Sequence, residues 1–143
     1  EVSYIGEDGG SHQVIMVHRA LLGSLERFFG VLIEHYAGAF PLWLAPEQLR
    51  ILTISSKHEQ YASACQATLK QGGFRADCDV GSDKIGAKIR KAELMKIPYM
   101  VIIGGREEAS EQVSVRSKKE GDLGQMTLEE FMKRLESEVQ SRA

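Results

Sequence analysis

The most apolar run of the chain, residues 97–105 (IPYMVIIGG), narrows the possible folds more than any other feature. It is too short to cross a membrane, which takes about 20 apolar residues. Turn-forming residues bound it, and a short apolar run of this kind is typical of a strand that is buried on both faces. We therefore expect a sheet in which residues 97–105 form a central strand.

Patterns typical of strands and helices alternate around this run. The predicted strands cover residues 50–55, 74–80 and 112–117, and the predicted helices cover residues 56–73, 83–96 and 127–140. The strand segments are β-branched or alternating, whereas the helix segments repeat apolar residues every three or four positions. The last helix begins with a capping box from Thr127 to Glu130. This order predicts a small α/β domain.

A further strand and helix precede this domain. Residues 13–18 (QVIMVH) have the β-branched character of a strand, and from Arg19 onward the apolar residues Leu21 to Tyr36 recur at helical spacing. Residues 37–48 contain Gly38 and two prolines, which end the helix and indicate a linker. We expect a domain boundary there, with residues 1–40 on one side and residues 41–143 on the other.

The composition excludes several classes of protein. A net charge of −2 and a pI near 6.1 predict no general affinity for nucleic acid, so any basic binding surface must be local. Cys65 and Cys78 form no CxxC motif and are too few for a disulfide framework, which favours a reducing compartment. We expect a cytoplasmic protein that has neither DNA nor a membrane as a partner.

Residues 81–96 (GSDKIGAKIRKAELMK) are locally basic, with five lysines and arginines against two acidic residues. If Ile85 and Ile89 face the core, the helix turns its basic side chains outward. Such a surface is either a solvated helix face or a set of contacts to RNA phosphates, and the pattern alone leaves both interpretations open.

The helix predicted from Arg19 contains residues that a core helix disfavours. Inside a helix, Gly23 and Gly30 each cost about 1 kcal/mol relative to alanine. A glycine near Arg27 indicates that something approaches the backbone closely, and a guanidinium there suits a phosphate or an aromatic base. The alternative is a partly exposed arginine beside a helix–helix contact.

The motif Gly-x-x-Glu-Arg-Phe, residues 23–28, at the start of a helix after a strand is similar to motif 3 of the class II aminoacyl-tRNA synthetases. Residues 17–46, residues 83–107 and the later strings VSVRS and GDLGQMTLEEF resemble the threonyl-tRNA synthetase family in the same order. The resemblance covers nearly the whole chain. It implies that residues 1–40 end a catalytic domain with the motif 3 strand and helix. Residues 41–143 would form an anticodon-binding domain, a mixed β-sheet of about five strands packed with helices.

The resemblance also implies parts of two catalytic-domain sites. Arg27 is expected to contact ATP, Ser24 to line the nucleotide pocket, and Gly23 to let the backbone come close. His18 is expected to be one zinc ligand, but the other ligands, a cysteine and a second histidine, precede the corresponding point in the family and are absent here. Zn²⁺, ATP and Mg²⁺ therefore belong to the full-length enzyme, and the fragment alone is expected to bind none tightly and to be inactive.

The implied partner is the tRNA for threonine, and the implied full-length enzyme is a homodimeric threonine–tRNA ligase. The residues expected to contact tRNA are Ser82, Lys84, Lys88, Arg90, Glu107 and Arg116. Of these, Ser82, Glu107 and Arg116 match the family's base-reading positions, although the family often has asparagine where this chain has Ser82. The alternative is a regulatory or protein-interaction module of the same fold that does not read RNA.

Overall fold

A computed structural model describes residues 2–142, and the chain divides into two compact units, Glu1–Leu32 and Ile33–Ala143. The first unit contains two short antiparallel strands, β1 (Ser3–Ile5) and β2 (Ser11–Gln13), joined by a turn at residues 6–10. Residues 14–24 form no regular element. Helix α1 (Leu25–Tyr36) runs across the boundary between the two units.

The structure corrects the prediction for the first unit. The strand expected at residues 13–18 ends at Gln13, because the apolar side chains that follow are exposed and only Val14 continues the backbone pairing, to the carbonyl of Val2 at 3.2 Å. The helix begins at Leu25 rather than Arg19, since Gly23 has a left-handed φ of 65° that a helix does not contain. Ser24 then caps the helix, and its Oγ accepts a hydrogen bond from the amide of Arg27 at 3.4 Å.

The second unit is built on a five-stranded mixed sheet. Its strands are β3 (Leu49–Thr53), β4 (Ala76–Asp79), β5 (Tyr99–Ile103), β6 (Gln112–Ser117) and β7 (Gly121–Thr127). They lie in the order β4-β3-β5-β6-β7, in which β4, β3 and β5 are parallel and β6 and β7 are antiparallel to their neighbours. The mixed sheet with the apolar run as its middle strand is therefore confirmed.

Helices connect and cover these strands. They are a 3₁₀ turn (Ser56–His58), α2 (Glu59–Gln71), α3 (Ile85–Leu94), α4 (Gly105–Ser110) and α5 (Leu128–Ser141). Neither α4 nor β7 is predicted from the sequence, because α4 is very short and β7 contains two glycines and a single β-branched residue, Thr127. Across residues 2–142, no helix combines the length and apolarity needed to cross a membrane.

Alternate residues of the strands face two different layers. Leu49, Ile51 and Val101 belong to the larger core cluster, which includes residues of α2 and α5. Leu52 and Met100 face the opposite side and pack with α3. On that side, the polar residues Ser114 and Arg116 of β6 and Gln125 of β7 keep exposure to solvent. We call the surface that bears Ser114, Arg116 and Gln125 the open face.

Candidate nucleic-acid interface

The carboxyl ends of β3, β4 and β5 lie at one edge of the sheet because these strands are parallel. The segments that leave this edge are residues 54–58, 80–84 and 104–107. Ligands of open sheets commonly bind beyond the carboxyl ends of parallel strands. Three of the residues predicted to contact tRNA, Ser82, Lys84 and Glu107, lie in these segments.

Lys88 is the main correction to the predicted interface. The helical pattern places it outward, yet Lys88 is only 2% exposed. Its ammonium nitrogen Nζ donates to the carbonyl of Thr53 at 2.9 Å, to Oγ1 of Thr53 at 3.2 Å and to the carbonyl of Asp79 at 3.0 Å. The prediction of an outward Lys88 is wrong because the ends of β3 and β4 cover this position. The ammonium group is hydrogen-bonded to these strand ends inside the protein.

The other predicted basic residues near this edge are exposed. Lys84 immediately precedes α3 as its N-cap residue, and Arg90 lies on the outer side of the same helix. Ser82 is exposed in the loop between β4 and α3. Asp79 orders the start of that loop, because its Oδ1 accepts a hydrogen bond from the amide of Gly81 at 3.0 Å. Ser82 and Lys84 therefore extend from a loop whose base is held in place.

Glu107 lies within α4 rather than in an exposed loop, and it is 7% exposed. Its Oε2 accepts a hydrogen bond from the amide of Gly104 at 2.9 Å, which closes the first turn of the helix. Its Oε1 accepts from Oγ of Ser114 and from Nε2 of Gln125, both at 2.8 Å. The carboxylate thereby joins α4 to β6 and β7 at the margin of the open face.

These hydrogen bonds keep the Glu107 carboxylate ionised. Burial by itself raises the pKa of Glu107, but the bonds from Ser114, the local backbone and Gln125 outweigh it. The net effect is a pKa below the ordinary value of 4.5. At neutral pH the group is a charged acceptor with no proton to donate.

Arg116 lies on the open face, and its side chain is 44% exposed. Its Nη2 is 3.6 Å from Oε1 of Glu93 on α3. An exposed ion pair of this length contributes little free energy, so the guanidinium can exchange Glu93 for another acceptor at small cost. Arg116 is thus the cation of the open face that is available to a ligand.

Two members of this site, Ser114 and Gln125, are not predicted from the sequence. For Ser114 a signal is present, because Val113 and Val115 face the core and strand alternation then puts Ser114 and Arg116 together on the other face. Gln125 pairs with Ser114 across the strands, but that pairing depends on β7, for which the sequence gives no strand pattern.

The residues predicted for the ATP and zinc sites lie in the first unit and are all exposed: His18, Gly23, Ser24 and Arg27. Oγ of Ser24 donates to Oε2 of Glu26 at 2.7 Å. The left-handed φ of Gly23 explains that glycine, whereas nothing in the structure explains Gly30. Within residues 2–142, no group of three or more histidine, cysteine, aspartate or glutamate side chains is arranged to hold a metal ion.

A protein family described as the anticodon binding domain matches residues 48–138, which is more than half of the chain. The match takes in all five strands of the mixed sheet and most of α5. The chain belongs to the anticodon-binding domain family. The open face and the carboxyl edge are therefore features of an anticodon-binding domain.

Curated relatives of this anticodon-binding domain chain are threonine–tRNA ligases. The ligase of Clostridium acetobutylicum is 50% identical over 99% of this chain, and that of Caldanaerobacter subterraneus subsp. tengcongensis is 50% identical over 100%. The chain spans 22% of the length of each relative.

Solved structures show the same fold. The RNA-binding domain of threonyl-tRNA synthetase from Cryptosporidium parvum matches with a TM-score of 0.77 and 34% identity, over 85% of this chain and 30% of that chain. Histidyl-tRNA synthetase from Nostoc sp. PCC 7120 matches with a TM-score of 0.60 over 64% of this chain and 22% of that chain. At 17% identity, the second match establishes a shared fold only.

Proposed function

We propose that this chain recognises the anticodon of the tRNA for threonine as one part of a threonyl-tRNA synthetase. The observation that carries the proposal is the open face, where the available cation Arg116 lies on the same strand as Ser114, a donor to the buried anion Glu107. The similarity to threonine–tRNA ligases along the entire chain supports the same assignment.

The chemistry of the open face suits a guanine. Every threonine codon has cytosine as its second base, so the middle anticodon base of a threonine tRNA is guanine. Bases in single-stranded loops are read on their hydrogen-bonding edges, and the edge of guanine offers both N–H donors and acceptors. Arg116 supplies donors, and the hydrogen-bonded cluster of Glu107, Ser114 and Gln125 supplies an acceptor. Ser82 offers a hydroxyl at the neighbouring carboxyl edge.

The exposed basic residues have a different role in this proposal. Lys84 and Arg90 contact RNA phosphates, which adds affinity without distinguishing sequences. Lys88 is not among these contacts, because its ammonium group is bonded to the carbonyls of Thr53 and Asp79. The acidic net charge of the chain fits a basic surface that is confined to this helix and loop.

The whole protein would be a cytoplasmic, homodimeric enzyme that joins threonine to its tRNA with ATP. Arg27, Ser24 and Gly23 are exposed in the first unit, where they are free to contact ATP. His18 alone does not make a zinc site, and within residues 2–142 it belongs to no group of three or more possible metal ligands. In this proposal the zinc site combines His18 with the cysteine and the second histidine that the family resemblance places earlier in the enzyme.

Binding of synthetic anticodon stem-loop RNAs tests the proposal. Fluorescence anisotropy should show that the 143-residue chain binds the threonine stem-loop more tightly than a stem-loop with adenine in place of the middle guanine. The affinity for both RNAs should fall as the salt concentration rises. Equal affinity for the two RNAs would favour a module that does not read the anticodon, and absence of binding at low salt would refute the proposal.

Arg116→Ala and Arg90→Ala form a matched pair in this assay. Arg116→Ala should reduce the preference for the cognate loop by about tenfold, the usual scale of one lost base contact. Arg90→Ala should weaken binding to both loops by the same factor, because it removes a phosphate contact only. Equal losses on both loops for the two variants would contradict the assigned roles.

A further inference from the structure

Gln125 differs from the other two groups that donate to Glu107. The amide of Gly104 is backbone, and Ser114 is half-buried on an inner strand. Gln125 is an exposed side chain on β7, which is the edge strand of the sheet. It is therefore the most solvent-exposed of the three donors to the buried carboxylate.

The contact with Glu107 fixes the orientation of the Gln125 amide. A carboxylate oxygen at 2.8 Å accepts hydrogen bonds and cannot donate them, so the amide nitrogen must be the atom that faces Glu107. The nitrogen and oxygen of the planar amide lie on opposite sides of the Cγ–Cδ bond. The carbonyl oxygen Oε1 of Gln125 consequently points away from Glu107, and none of the hydrogen bonds found within residues 2–142 uses it.

The environment of Glu107 limits its own access to a base. Three donors already occupy the carboxylate, and only 7% of the residue is exposed. A base edge that approaches the open face meets the exposed Gln125 before it meets the buried anion. Pre-orientation of a polar group by a second, buried group lowers the entropy cost of the contact it makes.

We propose that Gln125 is a further specificity-determining residue, whose carbonyl oxygen accepts a hydrogen bond from an N–H of the middle anticodon guanine. Glu107 is the positioning residue that holds the Gln125 amide in the required orientation. Arg116, two residues from Ser114 along β6, supplies donors on the same face. This inference rests on the proposed function and specifies which atoms of the site meet the base.

The test uses the guanine and adenine stem-loops with Gln125→Met. Methionine keeps the length of the side chain and removes its hydrogen-bonding atoms. The Glu107 carboxylate keeps its donors Gly104 and Ser114, so the fold should be retained. The ratio of the two dissociation constants should fall about tenfold, as expected for one lost hydrogen bond to a base. The control is Gln60→Met, an exposed glutamine on α2, which packs against the opposite side of the sheet.

Glu107→Gln tests the positioning role. An amide at position 107 offers both a donor and an acceptor, so Gln125 is no longer held in one orientation and the ratio should fall. Because the two residues act as a unit, the double variant should lose no more discrimination than Gln125→Met alone. Additive losses would overturn the positioning role of Glu107.

The outcomes separate this inference from the proposed function. If the wild-type chain discriminates between the RNAs and Gln125→Met keeps the same ratio within about twofold, the role of Gln125 is wrong and anticodon recognition stands. If the wild-type chain does not discriminate, both the proposed function and this inference fail. A tenfold lower ratio for Gln125→Met, with an unchanged ratio for Gln60→Met, supports the inference.

Discussion

Lys88→Met is expected to destabilise the second unit because it removes a buried ammonium group and little else. Methionine has nearly the length and volume of the lysine stem, so the packing of α3 on β3 and β5 is preserved. The change deletes three hydrogen bonds, two to Thr53 and one to the carbonyl of Asp79, together with the ion pair to Oδ1 of Asp79 at 3.8 Å. Any loss of stability then reports the polar contacts rather than a cavity.

The size of the loss follows from the acceptors that remain. The carbonyl of Asp79 keeps Oγ1 of Thr53 as a donor at 3.3 Å, whereas the carbonyl of Thr53 loses the ammonium group. A buried acceptor that loses its donor costs about 1–3 kcal/mol. The methionine variant also avoids the cost of burying a charge, which offsets part of the loss. We expect the free energy of unfolding to decrease by about 2 kcal/mol, which a domain with about 5–15 kcal/mol of stability survives.

Urea unfolding followed by the fluorescence of Trp43 measures this change. The matched control is Lys84→Met, which alters an exposed lysine four residues earlier and should shift the free energy of unfolding by less than about 0.5 kcal/mol. In RNA binding we expect the opposite pattern, with a larger effect for Lys84→Met than for Lys88→Met. Lys84→Met should reduce the salt dependence by about one counterion, and Lys88→Met should leave it unchanged. A Lys88→Met chain as stable as the wild type, or one with a reduced salt dependence, would refute the structural role of Lys88.

Two further predictions concern titratable groups. Since the pKa of Glu107 in the folded chain lies below its ordinary value of 4.5, its stabilising effect is complete above that pH and is lost as the pH falls through the folded-state pKa. Between about pH 5 and pH 3, urea unfolding should therefore show a smaller loss of stability for Glu107→Gln than for the wild type, and equal losses would contradict this. Burial and the charge of Asp77 raise the pKa of Cys78 from 9.0 to about 11, so iodoacetamide should alkylate it about 100-fold more slowly at pH 8 than after unfolding, as mass spectrometry can measure. Labelling at the unfolded rate would show that the thiol is not shielded.

Local sequence signals predicted the elements whose stability is local or strongly apolar. The middle strand β5 follows from its apolar run, and the start of α5 follows from its capping box. In that box Oγ1 of Thr127 accepts from the amide of Glu130 at 3.2 Å, and Oε2 of Glu130 accepts from the amide of Thr127 at 2.9 Å. Strand β7 has no such signal, because its glycine-containing sequence becomes a strand only by pairing with β6.

The same distinction explains the errors at the site. Helical periodicity assigns each residue a direction around the helix axis, but it does not say which part of the protein lies in that direction. The helical pattern places Lys88 on the outer side of α3. In the fold, that side of the helix faces the ends of β3 and β4, so Lys88 is buried. Gln125 became part of the site only through the pairing of two strands, which no local pattern encodes.

Lys88 and Glu107 have a common structural role, although their charges suggest exposed residues in the sequence. Both are buried, and each is bonded to groups from two other elements at the margin of the sheet. Lys88 fixes the segment that precedes Ser82 and Lys84, and Glu107 orients Gln125. The exposed groups can then meet RNA without first being ordered, which reduces the entropy cost of binding. Changes at Lys88 should therefore act mainly on the free energy of unfolding, whereas changes at Gln125 should act on the preference for the cognate RNA with the fold intact. If the loss of preference at both positions were proportional to the loss of stability, this division of roles would be contradicted.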